Sequence, residues 1–305
     1  MNYIVEVTLE LGAIYSLVTL GLFLSFRILN IADLSTDGCF VLGAAVSVSG
    51  CAAGHPVWGI LAGMLAGGCA GFVTAFLHTH MGIPDILAGI ITNTGLYTVN
   101  LFAMGWSANI SLLKNETIYS LFRDTGLPYS DILLSLVVAL LAMLFMFLFL
   151  KTRIGLSVRA TGDNRKMVSA SSISSSLTIT IGLVLANMMT GLSGALAGQY
   201  QKTADINSGT GIVVVGLACL IIGETVLRGR KSIARNILSV LVGNLIYRLI
   251  YALMLSSGVI PVECLKLFTA IVVAAAISAP YIRQKMKEKQ IKRNEVKRYA
   301  QRQKS

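Results

Sequence analysis

The chain has 305 residues, of which 55% are hydrophobic and 13% charged, and its mean hydropathy is +0.74. Average soluble domains carry about 25% charged residues, so this composition excludes an ordinary soluble globular protein. The net charge of +11 does not indicate nucleic-acid binding. Residues 283–305 alone contribute +8 of it, as ten Lys and Arg against two Glu, and they offer only Tyr299 for base stacking.

Apolar segments follow one another along the chain, and a helix of about 20 apolar residues crosses a bilayer. They cover residues 11–29, 39–53, 57–77, 86–104, 132–150, 177–199, 212–227, 237–255 and 265–282. The second and the seventh are short for a full crossing, which favours broken or re-entrant helices buried in protein. We predict an all-α, polytopic transmembrane helical bundle of eight or nine spans over residues 1–282, followed by a basic tail over residues 283–305.

Basic residues predict the orientation of these spans. Residues 151–166 hold five Lys and Arg, residues 228–235 hold four, and the tail holds ten. Short loops rich in Lys and Arg stay cytoplasmic, and two spans separate each of these loops from the next. We therefore expect the N-terminus outside and the C-terminus in the cytoplasm. No Lys or Arg precedes Arg27, so the first segment is expected to be a retained helix and not a cleaved signal peptide.

Two acids stand at the start of the second segment, in the sequence IADLSTDG of residues 31–38. Asp33 and Asp37 are four residues apart and would share one face of a helix. In one interpretation they cap the helix together with Ser35 and Thr36, because such side chains satisfy the free N–H groups of a first turn. In the other interpretation all four line a transport path, since ionisable residues at membrane depth tend to face a cavity.

Polar side chains also lie inside later segments: Asn93, Thr94 and Asn100 in the fourth and Asn187 in the sixth. Amide side chains in membrane helices either join helices by hydrogen bonds or contact a transported solute. These four are candidate substrate-path residues, together with the polar residues at the start of the second segment.

A candidate internal repeat relates the two short segments. ADLSTDGCFVLGAA begins at Ala32 and ADINSGTGIVVVGLA begins at Ala204, and the two align when one residue is inserted. The charge pattern places the first toward the inside and the second toward the outside. Interrupted helices at matching positions of two inverted halves are typical of a transport path, although chance similarity in an Ala, Gly and Val-rich chain is the alternative.

Motifs for catalysis are absent from the sequence. It contains no Walker A motif, HExxH, GxSxG or cluster of metal ligands, and its five cysteines share no CxxC spacing. We therefore expect no enzymatic activity, no metal and no cofactor in this chain, and any ATP hydrolysis must come from a separate subunit.

The loop over residues 151–174 has the most distinctive order of residues. It reads KTRIGLSVRATGDNRKMVSASSIS, and it is followed by GLSGALAG at residues 191–198 and GLACLIIGE at residues 216–224. This pattern resembles the cytoplasmic coupling segment and following helices of ABC importer permeases of the branched-chain amino acid and ribose type. The resemblance extends over residues 12–282. Within this family, Asp33-Leu34-Ser35 resembles the sugar branch, whereas the coupling loop looks more like the amino-acid branch. The Ala-Asp-Leu-Ser stretch also resembles that of a Gram-positive group of permeases linked to amino acids, aromatic ones in particular.

The resemblance implies a permease subunit of a bacterial plasma-membrane importer. Its partners would be a cytoplasmic ABC ATPase dimer, an extracellular substrate-binding protein or lipoprotein, and a second copy of the chain or a close paralogue. The ATPase-coupling residues that match the family pattern are Arg159, Gly162, Asp163, Asn164 and Met167. The expected substrate is an amino acid, with a sugar or nucleoside as the alternative. The main alternative hypothesis is a secondary transporter in which Asp33 and Asp37 carry protons or sodium ions. It does not explain the coupling-like order of residues 151–174.

Overall fold

A computed structural model describes residues 3–256 except 114, 125, 127–128 and 228–231, together with a few positions between 267 and 278. The predicted ninth segment lies almost entirely outside the described residues, and the predicted tail lies wholly outside them.

The elements are α1 (Tyr3–Leu22) with a following π-helix (Phe23–Ile28), α2 (Thr36–Ala52), α3 (Pro56–Thr79), α4 (Asp85–Ala103), β1 (Asn109–Ser111), α5 (Ile118–Arg123), α6 (Ser130–Lys151), α7 (Arg153–Asp163), α8 (Arg165–Ala170), α9 (Ser175–Gln201), β2 (Thr203–Asp205), α10 (Ile212–Leu227) and α11 (Ile233–Ser256).

Within the described part, six helices are long and apolar enough to cross a membrane. They are α1 with its π-helix, α3, α4, α6, α9 and α11, and the shorter apolar helices are α2 and α10. All eight coincide with apolar segments that the sequence predicts. The expectation of an all-α, polytopic helical bundle with two short helices is therefore confirmed.

The bundle has two ends that differ in structure. At one end β1 and β2 pair antiparallel, with Asn109 opposite Asp205 and Ser111 opposite Thr203, and we call it the ribbon end. At the other end α7 and α8 form most of residues 151–174, which we call the coupling segment. The side of the membrane that each end faces stays a prediction.

Small residues hold α2, α3 and α9 together at the centre of the bundle. A Cβ atom added at Gly43 of α2 would overlap the carbonyl of Gly191 in α9, and one at Gly63 of α3 would lie 2.7 Å from the carbonyl oxygen of Gly43. Backbones this close require glycine at the contact, and close backbone approach is a main source of helix association in lipid. Gly63 and Gly67, four residues apart in α3, thus both lie at close backbone contacts between these helices.

The first helix ends in an irregular turn that leads into the non-helical loop after it. The π-helix widens the last turn, and the N–H of Leu29 donates to the carbonyl of Leu24 at 3.0 Å. Asn30 then adopts a left-handed conformation with φ of 56°, which asparagine tolerates better than most residues. Such π-turns occur mostly at functional sites. The chain leaves α1 here and runs as a non-helical segment to Ser35.

The short helices α2 and α10 run to opposite ends of the bundle. The carbonyl of Ala52, the last residue of α2, accepts a hydrogen bond from Asn115 near the ribbon. Toward the end of α10, Glu224 forms a 2.9 Å ion pair with Arg27 of the π-helix, near the coupling segment. Opposite directions are what an inverted repeat produces. The repeat itself stays a prediction.

Candidate functional site

Asp33 lies at the centre of a buried polar network before α2. Its side chain is 3% exposed, and its Oδ1 accepts hydrogen bonds from the N–H of Ser35 at 2.8 Å and from the Ser35 hydroxyl at 2.6 Å. Its Oδ2 accepts a 2.7 Å hydrogen bond from Nδ2 of Asn187 in α9. The Thr36 hydroxyl donates to the carbonyl of Asp33 at 3.2 Å. A buried carboxylate with this many donors fixes the entry into α2.

This network unites four of the predicted path residues in one buried cluster. Ser35 and Thr36 belong to the turn that starts α2, and Asn187 is 1% exposed and links that turn to α9. Asp33, Ser35, Thr36 and Asn187 hydrogen-bond to one another within this cluster, whereas the second acid, Asp37, faces elsewhere. Which of these residues contact a solute stays a prediction.

Asp37 joins the first turns of the two short helices. Its Oδ2 accepts a 3.0 Å hydrogen bond from the N–H of Gly211, and its Oδ1 accepts a 2.9 Å hydrogen bond from the N–H of Val213. These N–H groups belong to the start of α10, where the helix dipole favours a negative charge. Asp37 therefore caps α10 although it lies in the first turn of α2.

A cavity of about 410 Å³ opens beside this junction. Asn93, Thr94 and Asn100 of α4 line it with Asp37, so four of the predicted path candidates face the same space. The full lining is Asp37, Gly38, Val41, Asn93, Thr94, Tyr97, Asn100, Ile206, Asn207, Gly209 and Thr210. The lining also contains polar residues that the sequence did not predict, namely Tyr97, Asn207 and Thr210. The last two lie in the polar stretch of the second repeat copy, and this was the available signal.

The coupling segment packs against the end of the first helix. A Cβ atom added at Gly162 would overlap the carbonyl oxygen of Ile28, so the α7 backbone touches the backbone that leaves the π-helix. The hydroxyls of Thr161 in α7 and Thr178 in α9 lie 2.8 Å apart. Asn164 caps α8, since its side chain accepts a 3.1 Å hydrogen bond from the N–H of Met167.

The other predicted coupling residues lie on the outer side of this segment. Asp163, Asn164 and Met167 are exposed, and Arg159 is half-buried. Leu156 also has a largely exposed side chain. Exposed apolar side chains among basic ones form a surface that suits a protein partner. Gly162, by contrast, touches the backbone of Ile28.

The stretch from the end of the π-helix to the first turn of α2 connects the two regions. It begins at Ile28, which touches Gly162, passes through Asp33 and ends at Asp37 beside the cavity. On the way, the N–H of Ala32 donates to Asp85 at the start of α4, at 3.2 Å. We call residues 28–37 the linking segment. It therefore contacts the coupling segment at one end and the cavity at the other.

A second cavity of about 390 Å³ lies at the ribbon end. Arg123 and Asp131 form an ion pair there, and the hydrogen bond from the guanidinium to this carboxylate raises the pKa of Arg123. Burial raises the pKa of the Tyr119 hydroxyl. The Tyr200 hydroxyl donates to Glu10. Every polar group named here has a partner within the chain, so we assign this region to structure.

Comparisons with known proteins agree with this architecture. A family model described as "branched-chain amino acid transport system / permease component" matches residues 4–277. A tyrosine transport system permease protein of Clostridioides difficile is 32% identical over 91% of each chain. A D-allose transport system permease protein of Escherichia coli is 24% identical over 80% of this chain and 73% of its own. A guanosine ABC transporter permease protein of Bacillus subtilis is 24% identical over 94% and 85%.

No solved structure matches the chain significantly. The family model nevertheless covers nearly the whole described bundle, including α1, the linking segment, the cavity and the coupling segment. The family implies association with an ATPase and a substrate-binding protein. The chain therefore belongs to the family of branched-chain amino acid transport system permease components, and it is a multi-pass membrane protein that forms the permease subunit of an ABC transporter.

Proposed function

We propose that this permease works in an importer, in which a separate cytoplasmic ATPase dimer drives a small solute inward from an external substrate-binding protein. Residues 1–282 form the permease domain and residues 283–305 a cytoplasmic tail. The observation that carries the proposal is the contact of Gly162 with Ile28. It places the coupling segment directly on the linking segment, whose other end is the wall of the cavity.

The path residues have two roles in this proposal. Asp37 and Asn93 line the cavity and contact the solute. Asp33, Ser35, Thr36 and Asn187 hold the linking segment at α9, so that it moves as one unit. Arg159, Gly162, Asp163, Asn164 and Met167 couple this unit to the ATPase. Two copies of the chain complete the transporter, with the coupling segment in the cytoplasm and the ribbon end outside.

An amino acid, preferably an aromatic one, is the substrate we propose. The relative that transports tyrosine matches at 32% identity, whereas those for allose and guanosine match at 24%. A sugar or nucleoside is the second candidate, because those two relatives share the family. An ion-coupled secondary transporter would not explain why α7 packs against the linking segment.

The test is uptake into membrane vesicles that contain the permease, its co-purified ATPase and its binding protein, with ATP supplied on the coupling-segment side. We expect Asp163→Ala and Asn164→Ala to lower ATP-driven L-tyrosine uptake by about fivefold or more, since a helix cap such as Asn164 contributes about 1 kcal/mol. Ser169→Ala, on the exposed side of α8, is the matched control. Uptake that is unchanged in both variants, or that follows an ion gradient without ATP, would overturn the proposal.

A further inference from the structure

The charge of the cavity beside the short helices has one sign. Among the described residues that line it, Asp37 is the only Asp or Glu, and none is Lys, Arg or His. Two cations outside this lining have partners of their own: Arg27 is paired with Glu224 at the far end of α10, and Arg248 lies 3.8 Å from the ring centroid of Tyr15. A positively charged group that enters the cavity would therefore meet an acid without a competing cation from the described lining.

The Asp37 carboxylate is fixed in position and still has capacity to accept hydrogen bonds. Its oxygens accept the backbone N–H groups of Gly211 and Val213, and the N–H of Ile212 also points to the carboxylate. A carboxylate has about four acceptor positions, so about one stays open for a ligand. The two N–H groups hold the carboxylate against the start of α10, and Asp37 is only half-buried at the cavity wall.

A second acceptor at the cavity has no partner among the described residues. Asn100 is 2% exposed, and its Nδ2 donates to the carbonyl of Gly38 at 3.2 Å, which fixes the orientation of the amide. Its Oδ1 then makes no hydrogen bond. A buried acceptor without a donor costs about 1–3 kcal/mol, and a ligand that brings a donor recovers part of this.

An aromatic surface lies on the same helix. Tyr97 of α4 is 53% exposed and lines the cavity one turn before Asn100. Its ring offers an apolar face in the same cavity as the Asp37 carboxylate and the Asn100 amide. An aromatic ring also attracts a cation that lies over its face. The cavity thus combines acceptors for N–H donors with a surface for an apolar group.

We propose that this cavity binds the ammonium group of the transported amino acid, with Asp37 as its counter-charge, Asn100 as a further acceptor and Tyr97 against the side chain. This deepens the proposed function, on which it rests. The carboxylate of the substrate points away from Asp37, because none of the described residues that line the cavity is a cation. A sugar or a nucleoside carries no ammonium group and would not gain from the charge.

The test uses the unmodified chain in nanodiscs of neutral phosphatidylcholine, with empty nanodiscs as the blank. Binding is measured by saturation-transfer difference NMR for three probes that share one ring: tyramine, 3-(4-hydroxyphenyl)propionate and 4-ethylphenol. We expect tyramine to bind about tenfold or more tightly than either other probe, the ratio that one charge-assisted contact provides. Equal affinities for tyramine and the propionate would overturn the inference.

Variants locate the contact. Asp37→Asn should weaken tyramine binding about tenfold and leave 4-ethylphenol unchanged, and Asn100→Ala should weaken tyramine by about threefold, as expected for one neutral hydrogen bond. Asp205→Asn removes an acid at the end of β2 that does not line the cavity, so tyramine binding should persist. If Asp37→Asn does not fold, the three probes on the unmodified chain still test whether the cavity binds an ammonium group. An equal loss in Asp37→Asn and Asp205→Asn would contradict the assignment.

Uptake in vesicles separates this inference from the proposed function. ATP-driven uptake of L-tyrosine together with equal binding of tyramine and the propionate would overturn the inference and leave the importer in place. Absence of any ATP-driven uptake, with tyramine binding that depends on Asp37, would overturn the importer and support the ammonium site.

Discussion

Asp33 and Asn187 are 154 positions apart in sequence and form a 2.7 Å hydrogen bond inside the bundle. This contact joins the segment before α2 to the middle of α9, and both residues are almost fully buried. It ties the linking segment to the helix that carries the central glycine contacts. The first acid of the Ala-Asp-Leu-Ser stretch is thus part of the framework, and the second, Asp37, is the one that faces the cavity.

The Asp33 network should be a main determinant of stability. We expect Asp33→Ala to lower the free energy of unfolding by about 3 kcal/mol, because three buried donors lose their acceptor. Asn187→Ala should cost about 1–2 kcal/mol. The double variant should cost less than the sum, with a coupling energy of about 1 kcal/mol.

These costs can be measured by unfolding the purified chain in mixed micelles. Asp124→Ala is the control at an exposed position, with an expected change within about 0.5 kcal/mol. Strict additivity of the two single variants would contradict a direct bond between Asp33 and Asn187.

Asp37 should protect the amides at the start of α10. In Asp37→Ala we expect the N–H groups of Gly211 and Val213 to exchange with deuterium about fivefold faster, since a lost cap costs about 1 kcal/mol. Asp205→Ala offers a matched comparison, because Asp205 accepts the N–H of Asn207 at 2.7 Å and should affect that amide instead. Mass spectrometry of peptides over residues 205–216 measures the deuterium exchange of all these amides. Faster exchange at the same amides in both variants would show that Asp37 does not cap α10.

Gly162 should tolerate no side chain. Gly162→Ala forces α7 away from the backbone of Ile28, and we expect a loss of about 1–3 kcal/mol in stability. Gly95→Ala is a matched change in α4, where an added Cβ meets no atom within 4 Å, and it should be neutral or stabilise by up to about 1 kcal/mol. Thermal unfolding of both variants checks this. Equal melting temperatures would show that α7 does not rest on the linking segment.

Gln199 should stabilise the ribbon end more than the ion pair beside it. Its fully buried amide accepts the N–H of Ile118 at 2.9 Å and donates to the Ser47 hydroxyl at 2.9 Å and the Pro56 carbonyl at 2.8 Å. We expect Gln199→Leu to cost about 2–3 kcal/mol, because three polar groups lose their partners.

The exposed pair of Arg123 with Asp131 provides the comparison. Arg123→Gln should cost less than about 1 kcal/mol, as is usual for surface ion pairs, and this small effect should shrink further at high salt. The same unfolding assay covers both variants. A larger loss in Arg123→Gln than in Gln199→Leu would show that the ion pair, and not the amide, holds the ribbon end.

Much of the fold was predictable because it depends on local properties of the chain. Apolar stretches of membrane-spanning length fix the helices, and the two short ones, α2 and α10, fall where the sequence has short segments. Regular small residues such as Gly63 and Gly67 predict close helix contacts, which the structure places against α2 and α9. The order of residues in the coupling segment is specific enough to indicate the family, and residues 4–277 match it.

The site was predictable only in part. The sequence singles out Asp33 and Asp37 as similar acids on one helix face, and it predicts no difference between them. Their roles differ because the partners come from α9 for Asp33 and from the start of α10 for Asp37. The unpartnered Oδ1 of Asn100 likewise follows from how its amide meets Gly38.

The sequence by itself determined the class of protein, the membrane helices and the family, since hydropathy, length and motif order are properties of neighbouring residues. Only the tertiary structure decided that one acid is buried in the framework and the other faces a cavity. It also decided that the linking segment touches the coupling segment at one end and the cavity at the other. Hydrogen bonds and backbone contacts between distant residues depend on how the helices pack, and no local pattern specifies that packing.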